Sequence, residues 1–217
     1  MKDQFEHVRT WVFDLDNTLY PRSAGIFDQM DGLMNAWIMR EIGVDEETAQ
    51  TMREEYLERY GTTLGGLMTH HDIDPDPFLH ETHELDLGRL EPAPALRAQI
   101  EKLPGRRIVF TNGSRRHADR VTEALGLANL FDAHYAIEDA GYVSKPERTA
   151  FDRVFAAEGL MPERAAMFED MAENLLVPHG LGMRTVLVTP TPDRLDPVEH
   201  IHHVTDDLTH FLSRITA

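Results

Sequence analysis

The sequence predicts an α/β protein with a doubly wound parallel sheet core and an inserted all-helical cap. The run from Trp11 to Phe13 is short, wholly apolar and followed by acidic residues, as a buried parallel strand is. Residues 21–92 carry helical patterns and no strand pattern. In the rest of the chain helix and strand patterns alternate, which indicates a parallel sheet. We therefore expect a core of residues 1–20 and 93–217 and a cap of residues 21–92.

The predicted cap begins with an apolar stripe at helical spacing over residues 26–42. Asp45 suits the N-cap of a second helix, which continues to Gly61. A glycine-broken segment follows at 62–68, and Asp76 opens a short polar helix. Because this block follows the first strand directly, we expect it to overhang the end of that strand as a lid.

The core pattern then runs as alternating helices and strands. Pro178 predicts a late start or a kink for the helix around it. The predicted helices are 95–102, 116–125, 149–158, 174–181 and 207–215, and the predicted strands after the first are 107–110, 135–137, 165–168 and 185–188.

The amino-acid composition excludes several classes of function. The 217 residues include no cysteine, which excludes disulfides, thiol catalysis and cysteine–zinc sites within them. The formal net charge of −17 repels nucleic-acid polymers and anionic membranes. No apolar run approaches the ~18 residues of a membrane span, and the chain does not start with a signal-like segment. We expect a soluble, cytoplasmic monomer or homodimer, and a small anionic substrate is still possible if a metal and a few cations reverse the charge locally.

Two acidic residues, Asp14 and Asp16, follow the first predicted strand. The carboxyl end of a strand in an open parallel sheet is where ligands bind. Such a pair also suits an ordinary turn. At a site, one carboxylate could be a nucleophile and the other a proton donor.

Three other predicted strands or their following loops carry polar residues in the same way. Thr111 opens a Thr-Asn-Gly-Ser segment, Lys145 precedes a proline, and Glu169 and Asp170 follow the fourth strand. Taken singly, these indicate a turn, an exposed lysine and an acidic helix N-cap. Taken together on successive strand ends, they predict one site.

These side chains form the parts of a phosphoryl-transfer site. Asp14, Asp16 and Asp170 offer hard oxygen ligands of the kind that Mg²⁺ prefers. Asp14 could attack phosphorus to form an aspartyl phosphate, while Asp16 protonates the leaving oxygen. Thr111 and the backbone N–H groups beside it would hold phosphate oxygens, and Lys145 would offset negative charge.

The order of these motifs resembles that of the haloacid dehalogenase (HAD) superfamily over essentially the whole chain. The matching segments are Asp-Leu-Asp-Asn-Thr at 14–18, Thr-Asn-Gly at 111–113, Lys-Pro at 145–146, and Glu-Asp at 169–170 followed by Asn174. The resemblance implies a Rossmann-like core. At position 174 many relatives have Asp, so Asn174 removes a carboxylate from the neighbourhood of Asp170.

The resemblance also implies the metal ligands. The Mg²⁺ ligands would be a carboxylate oxygen of Asp14, the main-chain carbonyl of Asp16 and the carboxylate of Asp170. Glu169 would bind second or through water. The side chain of Asp16 would then be free for acid–base chemistry.

Within the superfamily, Leu19-Tyr20-Pro21 and the segments 60–68 and 110–114 resemble the pyrimidine 5′-nucleotidase-like group with a helical cap. Members of this group act on several phosphate monoesters, so the resemblance implies hydrolysis of a small phosphorylated metabolite, and we expect a nucleoside 5′-monophosphate. A sugar-phosphate phosphatase or a phosphoglucomutase-like enzyme would share the core. A 2-haloacid dehalogenase or a catalytically silent binding module are further alternatives.

Substrate-binding residues follow from the same reasoning. Asn112 and Gly113 are expected at the phosphate, and Tyr20 and Arg22 at the substrate side of the cap because they directly follow the catalytic loop. Among the histidines we expect no zinc site, and His70 and His71 are candidate donors to a substrate.

Overall fold

The computed structural model describes residues 1–192 and 198–216. These residues form a six-stranded sheet in which all strand pairs are parallel, in the order β3-β2-β1-β4-β5-β6. The strand that carries the two acidic residues at its end is therefore central. The strands are β1 (Thr10–Phe13), β2 (Arg106–Phe110), β3 (Ala133–Tyr135), β4 (Ala165–Glu169), β5 (Arg184–Val188) and β6 (His203–Thr205).

The α/β architecture is as predicted, but two edge strands differ from the prediction. β3 ends at Tyr135 rather than beginning there, and the residues after it continue as a loop in which the Ile137 N–H donates to the Gly113 carbonyl. β6 was not predicted at all. Both strands have three residues and are only partly buried, so they lack the apolar run that identifies a central strand.

Helices cover both faces of the sheet. On β1, Trp11 and Phe13 face one apolar cluster and Val12 faces the other, as alternating strand side chains must. The first cluster includes side chains of the helices at 94–100, 115–124 and 208–216, and the second includes side chains of the helix at 148–158. The core helices are α5 (Pro94–Ile100), α6 (Arg115–Ala124), α7 (Arg148–Glu158), α8 (Leu176–Gly180) and α9 (Leu208–Thr216).

The start of α8 explains the proline within it. A 3-10 turn over Ala172–Leu175 precedes the helix, so Pro178 lies in the first turn of α8. A first-turn residue needs no N–H for the helical ladder, so the late start that was predicted there is correct.

Four helices form the insertion between β1 and α5: α1 (Ile26–Ile42), α2 (Glu46–Tyr60), α3 (Thr63–His71) and α4 (Pro75–Thr82). Asp45 is the N-cap of α2, as predicted, and accepts a bond of 2.9 Å from the Thr48 N–H. The glycine-broken segment belongs to α3, whose N-cap Thr62 accepts a bond of 3.1 Å from the Gly65 N–H. The helix α4 begins after Asp74, not at the predicted Asp76. The boundaries of the cap at 21 and 92 remain a prediction.

The cap is joined to the core by bonds at several points. Arg120 on α6 donates to the backbone carbonyls of His83 and Leu85, at 3.1 and 2.8 Å. Ser144 donates to the Tyr60 carbonyl at 3.0 Å. The insertion is therefore held over the carboxyl ends of the strands. No helix in the described part of the chain is long and apolar enough to cross a membrane.

The turn into β2 allows a stability prediction. Gly105 has φ +86°, and a Cβ built there would lie 2.2 Å from the Arg9 carbonyl oxygen, which accepts the Arg106 N–H. Gly43 has φ +78° with no atom within 4 Å of such a Cβ. Each alanine substitution incurs the left-handed cost of about 1–2 kcal/mol. We expect Gly105→Ala to lower the free energy of unfolding by at least about 2 kcal/mol more than Gly43→Ala.

Urea denaturation of the two variants measures this difference. Equal destabilisation would contradict the close approach of Gly105 to the Arg9 backbone.

Candidate active site

The loops after β1, β2 and β4, together with the Lys145 loop, meet under the cap around a cavity of about 310 Å³. The structure thus brings together all of the core residues that the sequence placed at one site. The core residues that line it are Asp14, Asp16, Asn17, Thr111, Asn112, Gly113, Lys145, Glu169, Asp170 and Asn174, among others. Arg22 also lines the cavity, whereas Tyr20 does not.

Three carboxylates lie close together on the floor of this cavity. Ligand oxygens of Asp14, Glu169 and Asp170 all lie within 4.8 Å of one another. Burial, and then the charge of Glu169, raise the pKa of Asp14. Burial, and then the charges of Asp14 and Glu169, raise the pKa of Asp170. The cluster concentrates more negative charge than its surroundings neutralise.

This donor set fits a small divalent cation. Carboxylate and amide oxygens are hard ligands of the type that Mg²⁺ takes. Besides the three carboxylates, the side-chain oxygens of Asn17 and Asn174 are buried in the same cavity wall without a hydrogen-bond partner in the structure. Asn174 brings no carboxylate to this position, but its side-chain oxygen is a neutral donor for a cation.

Lys145 is the cation that the protein itself places in the cluster. Its Nζ donates to Asp14 at 2.8 Å, to Glu169 at 2.7 Å and to the Phe110 carbonyl at 2.9 Å. Burial alone would lower the pKa of Lys145, but the two carboxylates outweigh burial and raise it. Lys145 is therefore a fixed ammonium ion that partly neutralises the site.

Asn112 positions this lysine. Its side-chain oxygen accepts the Lys145 N–H at 2.8 Å, and its side-chain nitrogen donates to the Lys145 carbonyl at 3.0 Å. The amide expected to bind substrate is thus engaged with backbone. A similar reassignment holds for Gly113, whose N–H donates to the Thr111 hydroxyl oxygen at 2.9 Å rather than pointing freely at a ligand. The Thr111 hydroxyl hydrogen finds no acceptor among the described residues and can serve a phosphate oxygen.

The two aspartates of the first motif have separate surroundings. One oxygen of Asp16, Oδ1, accepts bonds from the Tyr20 hydroxyl at 2.5 Å and from His117 Nε2 at 2.7 Å. Burial would raise the pKa of Asp16, but the charge of His117 and these two bonds lower it. Tyr20 is therefore placed behind Asp16, not on the substrate side of the cap as expected, because its hydroxyl reaches the carboxylate four residues earlier.

The cap half of the cavity is mostly apolar. An ion pair interrupts this surface, since Arg53 donates to Asp31 at 2.8 Å with only 13% of the arginine side chain exposed. The guanidinium of Arg22 makes no hydrogen bond with the described residues, but its positive charge acts on Asp31. The apolar lining residues from the cap are Phe27, Met30, Met34, Leu57, Leu64, Phe78 and Leu79, and the core adds Ile137 and Met171.

The sequence profile of the haloacid dehalogenase-like hydrolases matches residues 8–177, which include every residue that lines the cavity. This chain belongs to the haloacid dehalogenase-like hydrolases. Phosphate metabolism protein 8 of Saccharomyces cerevisiae (strain ATCC 204508 / S288c) is 28% identical over 197 residues. The match covers 82% of this chain and 61% of the yeast protein, so it spans less than two thirds of that relative.

Solved structures of this hydrolase fold are similar at low sequence identity. A HAD phosphatase from Thermococcus onnurineus has a TM-score of 0.63 at 16% identity, with 96% of this chain and 98% of that chain covered. YfnB from Bacillus subtilis, bound to magnesium, has a TM-score of 0.58 at 16% identity, with 97% and 99% covered. L-2-haloacid dehalogenase from Xanthobacter autotrophicus, with chloropropionic acid covalently bound, has a TM-score of 0.58 at 16% identity, with 96% and 98% covered. At these identities the likeness shows the fold.

Two histidines at this site, His83 and His117, were not predicted from the sequence. His117 is buried on the inner face of α6, four residues before Val121, so helical spacing could have identified it. His83 follows α4, and its ring packs against that of His117, with ring centroids 5.0 Å apart. By contrast, His70 and His71 are hydrogen-bonded to Tyr60 and Tyr56 and do not line the cavity.

The protonation state of His83 gives a pH prediction. Burial, and then His117, lower the pKa of His83 to about 4 from its ordinary value of 6.5. Between these pH values the unfolded chain binds a proton at this residue that the folded protein does not, so acidification lowers stability. His83 Nδ1 donates to the Leu79 carbonyl at 2.9 Å, and an asparagine amide can replace that donor without titrating. From pH 7 to pH 5 we expect wild type to lose about 1–2 kcal/mol relative to His83→Asn.

Urea unfolding in chelator at the two pH values measures this change. The exposed His7 gives the control, since His7→Asn should leave the pH dependence as in wild type. If stability depends on pH in the same way in wild type and His83→Asn, the folded protein binds a proton at His83 as readily as the unfolded chain does.

Proposed function

We propose that this hydrolase cleaves small phosphate monoesters through an aspartyl-phosphate intermediate on Asp14. The observation that supports this most is the division of labour between the two aspartates. Asp14 belongs to a carboxylate cluster suited to a cation, while Asp16 is held apart from it by Tyr20 and His117. A nucleophile beside a metal and a separate proton donor are what phosphoryl transfer to a carboxylate needs.

In the first step an oxygen of Asp14 forms a bond to phosphorus, the ester P–O bond breaks, and Asp16 gives its proton to the leaving oxygen. Water then attacks phosphorus, Asp16 takes a proton from that water, and the bond to Asp14 breaks to release inorganic phosphate. Thr111 donates to a phosphate oxygen, and Lys145 offsets charge on the nucleophile. The incoming phosphate favours a protonated Asp16, because a nearby anion raises the pKa of a carboxyl group.

Mg²⁺ would be held by Asp14 and Asp170, with Glu169, Asn174 and the Asp16 carbonyl beside them. When bound, it supplies positive charge that screens the phosphate and the nucleophile from each other.

A nucleoside 5′-monophosphate suits the cap half of the cavity. A planar base can pack against the apolar wall, and the Asp31–Arg53 pair with Arg22 offers hydrogen-bonding groups for its edge or for the ribose. The name of the yeast relative, a phosphate metabolism protein, is compatible with phosphate monoester chemistry. A sugar phosphate would make less use of the apolar wall.

Replacement of the nucleophile tests the proposal. Asp14→Asn should lower phosphatase kcat by at least ~10³-fold, because an amide is nearly isosteric with the carboxylate but a very poor nucleophile. The measurement is phosphate release from 4-nitrophenyl phosphate and UMP, with near-ultraviolet circular dichroism to verify folding. Asp152→Asn is the matched control, since Asp152 is exposed and bonded to Arg148. A folded Asp14→Asn variant with wild-type activity would falsify the mechanism.

Metal removal separates phosphatase from dehalogenase chemistry. A chelator should stop phosphate release, and Mg²⁺ should restore it better than Ca²⁺, whose longer bonds and larger ligand number give a looser site. Halide release from 2-chloropropionate that persists in excess chelator, with no phosphate release under any condition, would assign the protein to the dehalogenases instead.

Substrate selectivity is tested with a panel of phosphorylated metabolites. We expect UMP or CMP to have a higher kcat/KM than glucose 6-phosphate. Arg22→Met should change the kcat/KM for the nucleotide more than that for 4-nitrophenyl phosphate, because only the nucleotide reaches the cap. A sugar phosphate that is preferred about tenfold, or ~1.4 kcal/mol in transition-state binding, would rule out the nucleotidase assignment and leave the phosphatase assignment standing.

A further inference from the structure

We propose that Tyr20 and His117 are positioning residues that fix the Asp16 carboxyl group so that its Oδ2 atom alone exchanges protons with the leaving group and with water. The inference rests on the proposed phosphatase function, in which Asp16 is the acid and base. It assigns roles to one tyrosine and one histidine that do not themselves touch the reacting atoms.

Both donors bind the same oxygen of Asp16. The Tyr20 hydroxyl and His117 Nε2 lie 2.5 and 2.7 Å from Oδ1, and both side chains are buried, with 4% and 1% of their surface exposed. They come from different elements, since Tyr20 follows β1 and His117 lies in the first turn of α6. Two bonds from separate directions prevent rotation of the carboxyl plane.

The other oxygen, Oδ2, is left open. It accepts no hydrogen bond from the described residues and is not among the buried atoms that lack a partner. Gly113 lies beside it, and a Cβ built on that glycine would be 3.5 Å from Oδ2 and 3.2 Å from His117 Cδ2. The absence of a side chain at position 113 therefore keeps the approach to Oδ2 clear.

The state of His117 agrees with a fixed role. A carboxylate oxygen can only accept, so His117 Nε2 must carry hydrogen, and its Nδ1 is buried without a partner. On the cap side the ring of His83 packs against His117. The cap thus completes the wall that holds this imidazole in place.

The two bonds to Oδ1 determine which oxygen of Asp16 carries the proton. With Oδ1 occupied by two donors, a protonated Asp16 carries its hydrogen on Oδ2, and that hydrogen moves to the ester oxygen as the P–O bond breaks. When water attacks the aspartyl phosphate, Oδ2 accepts the proton and the starting state returns. Loss of either donor lets the carboxyl group rotate, so proton transfer suffers while the nucleophile Asp14 is untouched.

This role predicts a dependence on the leaving group that a purely structural role does not produce. 4-Nitrophenolate leaves readily without a proton, whereas benzyl alcohol needs one, although the two aromatic groups are similar in size. In kcat/KM, which reports the first transfer step, Tyr20→Phe and His117→Leu should lower benzyl phosphate hydrolysis about tenfold or more. The same variants should change 4-nitrophenyl phosphate hydrolysis by less than about twofold.

Three further variants complete the experiment. His117→Gln restores an N–H near the position of Nε2 and should recover most of the benzyl phosphate activity. Tyr60→Phe and His134→Asn are controls, because they remove a Tyr–His bond and a His–Asp bond elsewhere and should leave both esters unaffected.

Equal losses with the two esters in Tyr20→Phe and His117→Leu would overturn the proposal, as would unchanged benzyl phosphate hydrolysis. Either result leaves the phosphatase function standing, provided that wild type hydrolyses the esters and Asp14→Asn does not. Failure of wild type to hydrolyse either ester would overturn both proposals.

Discussion

The buried ammonium group of Lys145 is the interaction on which the rest of the site depends. Its three bonds reach the Asp14 carboxylate after β1, the Phe110 carbonyl at the end of β2 and the Glu169 carboxylate of β4. A buried carboxylate without a partner is costly, so the two acids can share this space only because the lysine lies between them. The lysine is in turn fixed by the amide of Asn112, which binds both sides of its backbone. One cation thus joins three neighbouring strand ends.

The two aspartates of the first motif lie close together in the sequence, but their side chains contact different neighbours. Asp14 faces the lysine and the acidic cluster, whereas Asp16 faces Tyr20 and His117. Burial and the charge of Glu169 raise the pKa of Asp14, whereas the charge of His117 and the bonds from His117 and Tyr20 outweigh burial and lower the pKa of Asp16. Two identical side chains have different surroundings because the strand ends before them and the backbone turns.

The cap forms the side of the cavity that faces the strand ends. Its helices supply the apolar half of the cavity, and His83 extends the cap to the imidazole that holds Asp16. The Gly61 backbone, with φ +74°, approaches the Lys145 carbonyl so closely that a Cβ would lie 2.7 Å from it. The cap and the core therefore touch at the lysine as well as at the histidine pair.

The sequence by itself determined the features that local patterns encode. The buried strand before Asp14, the helical insertion and the capping of α2 by Asp45 all follow from periodicity and side-chain chemistry within a few residues. The strand-end motifs could also be placed at one edge, because parallel strands end on the same side of a sheet. The short edge strands β3 and β6 carried too little apolar signal to be placed correctly. Only the tertiary structure decided which groups meet: His117 lies 101 positions from Asp16, and no local pattern records that pairing. It also turned Tyr20 inward and engaged the Asn112 amide with backbone, since buried polar groups take whichever partner the packed chain brings within reach.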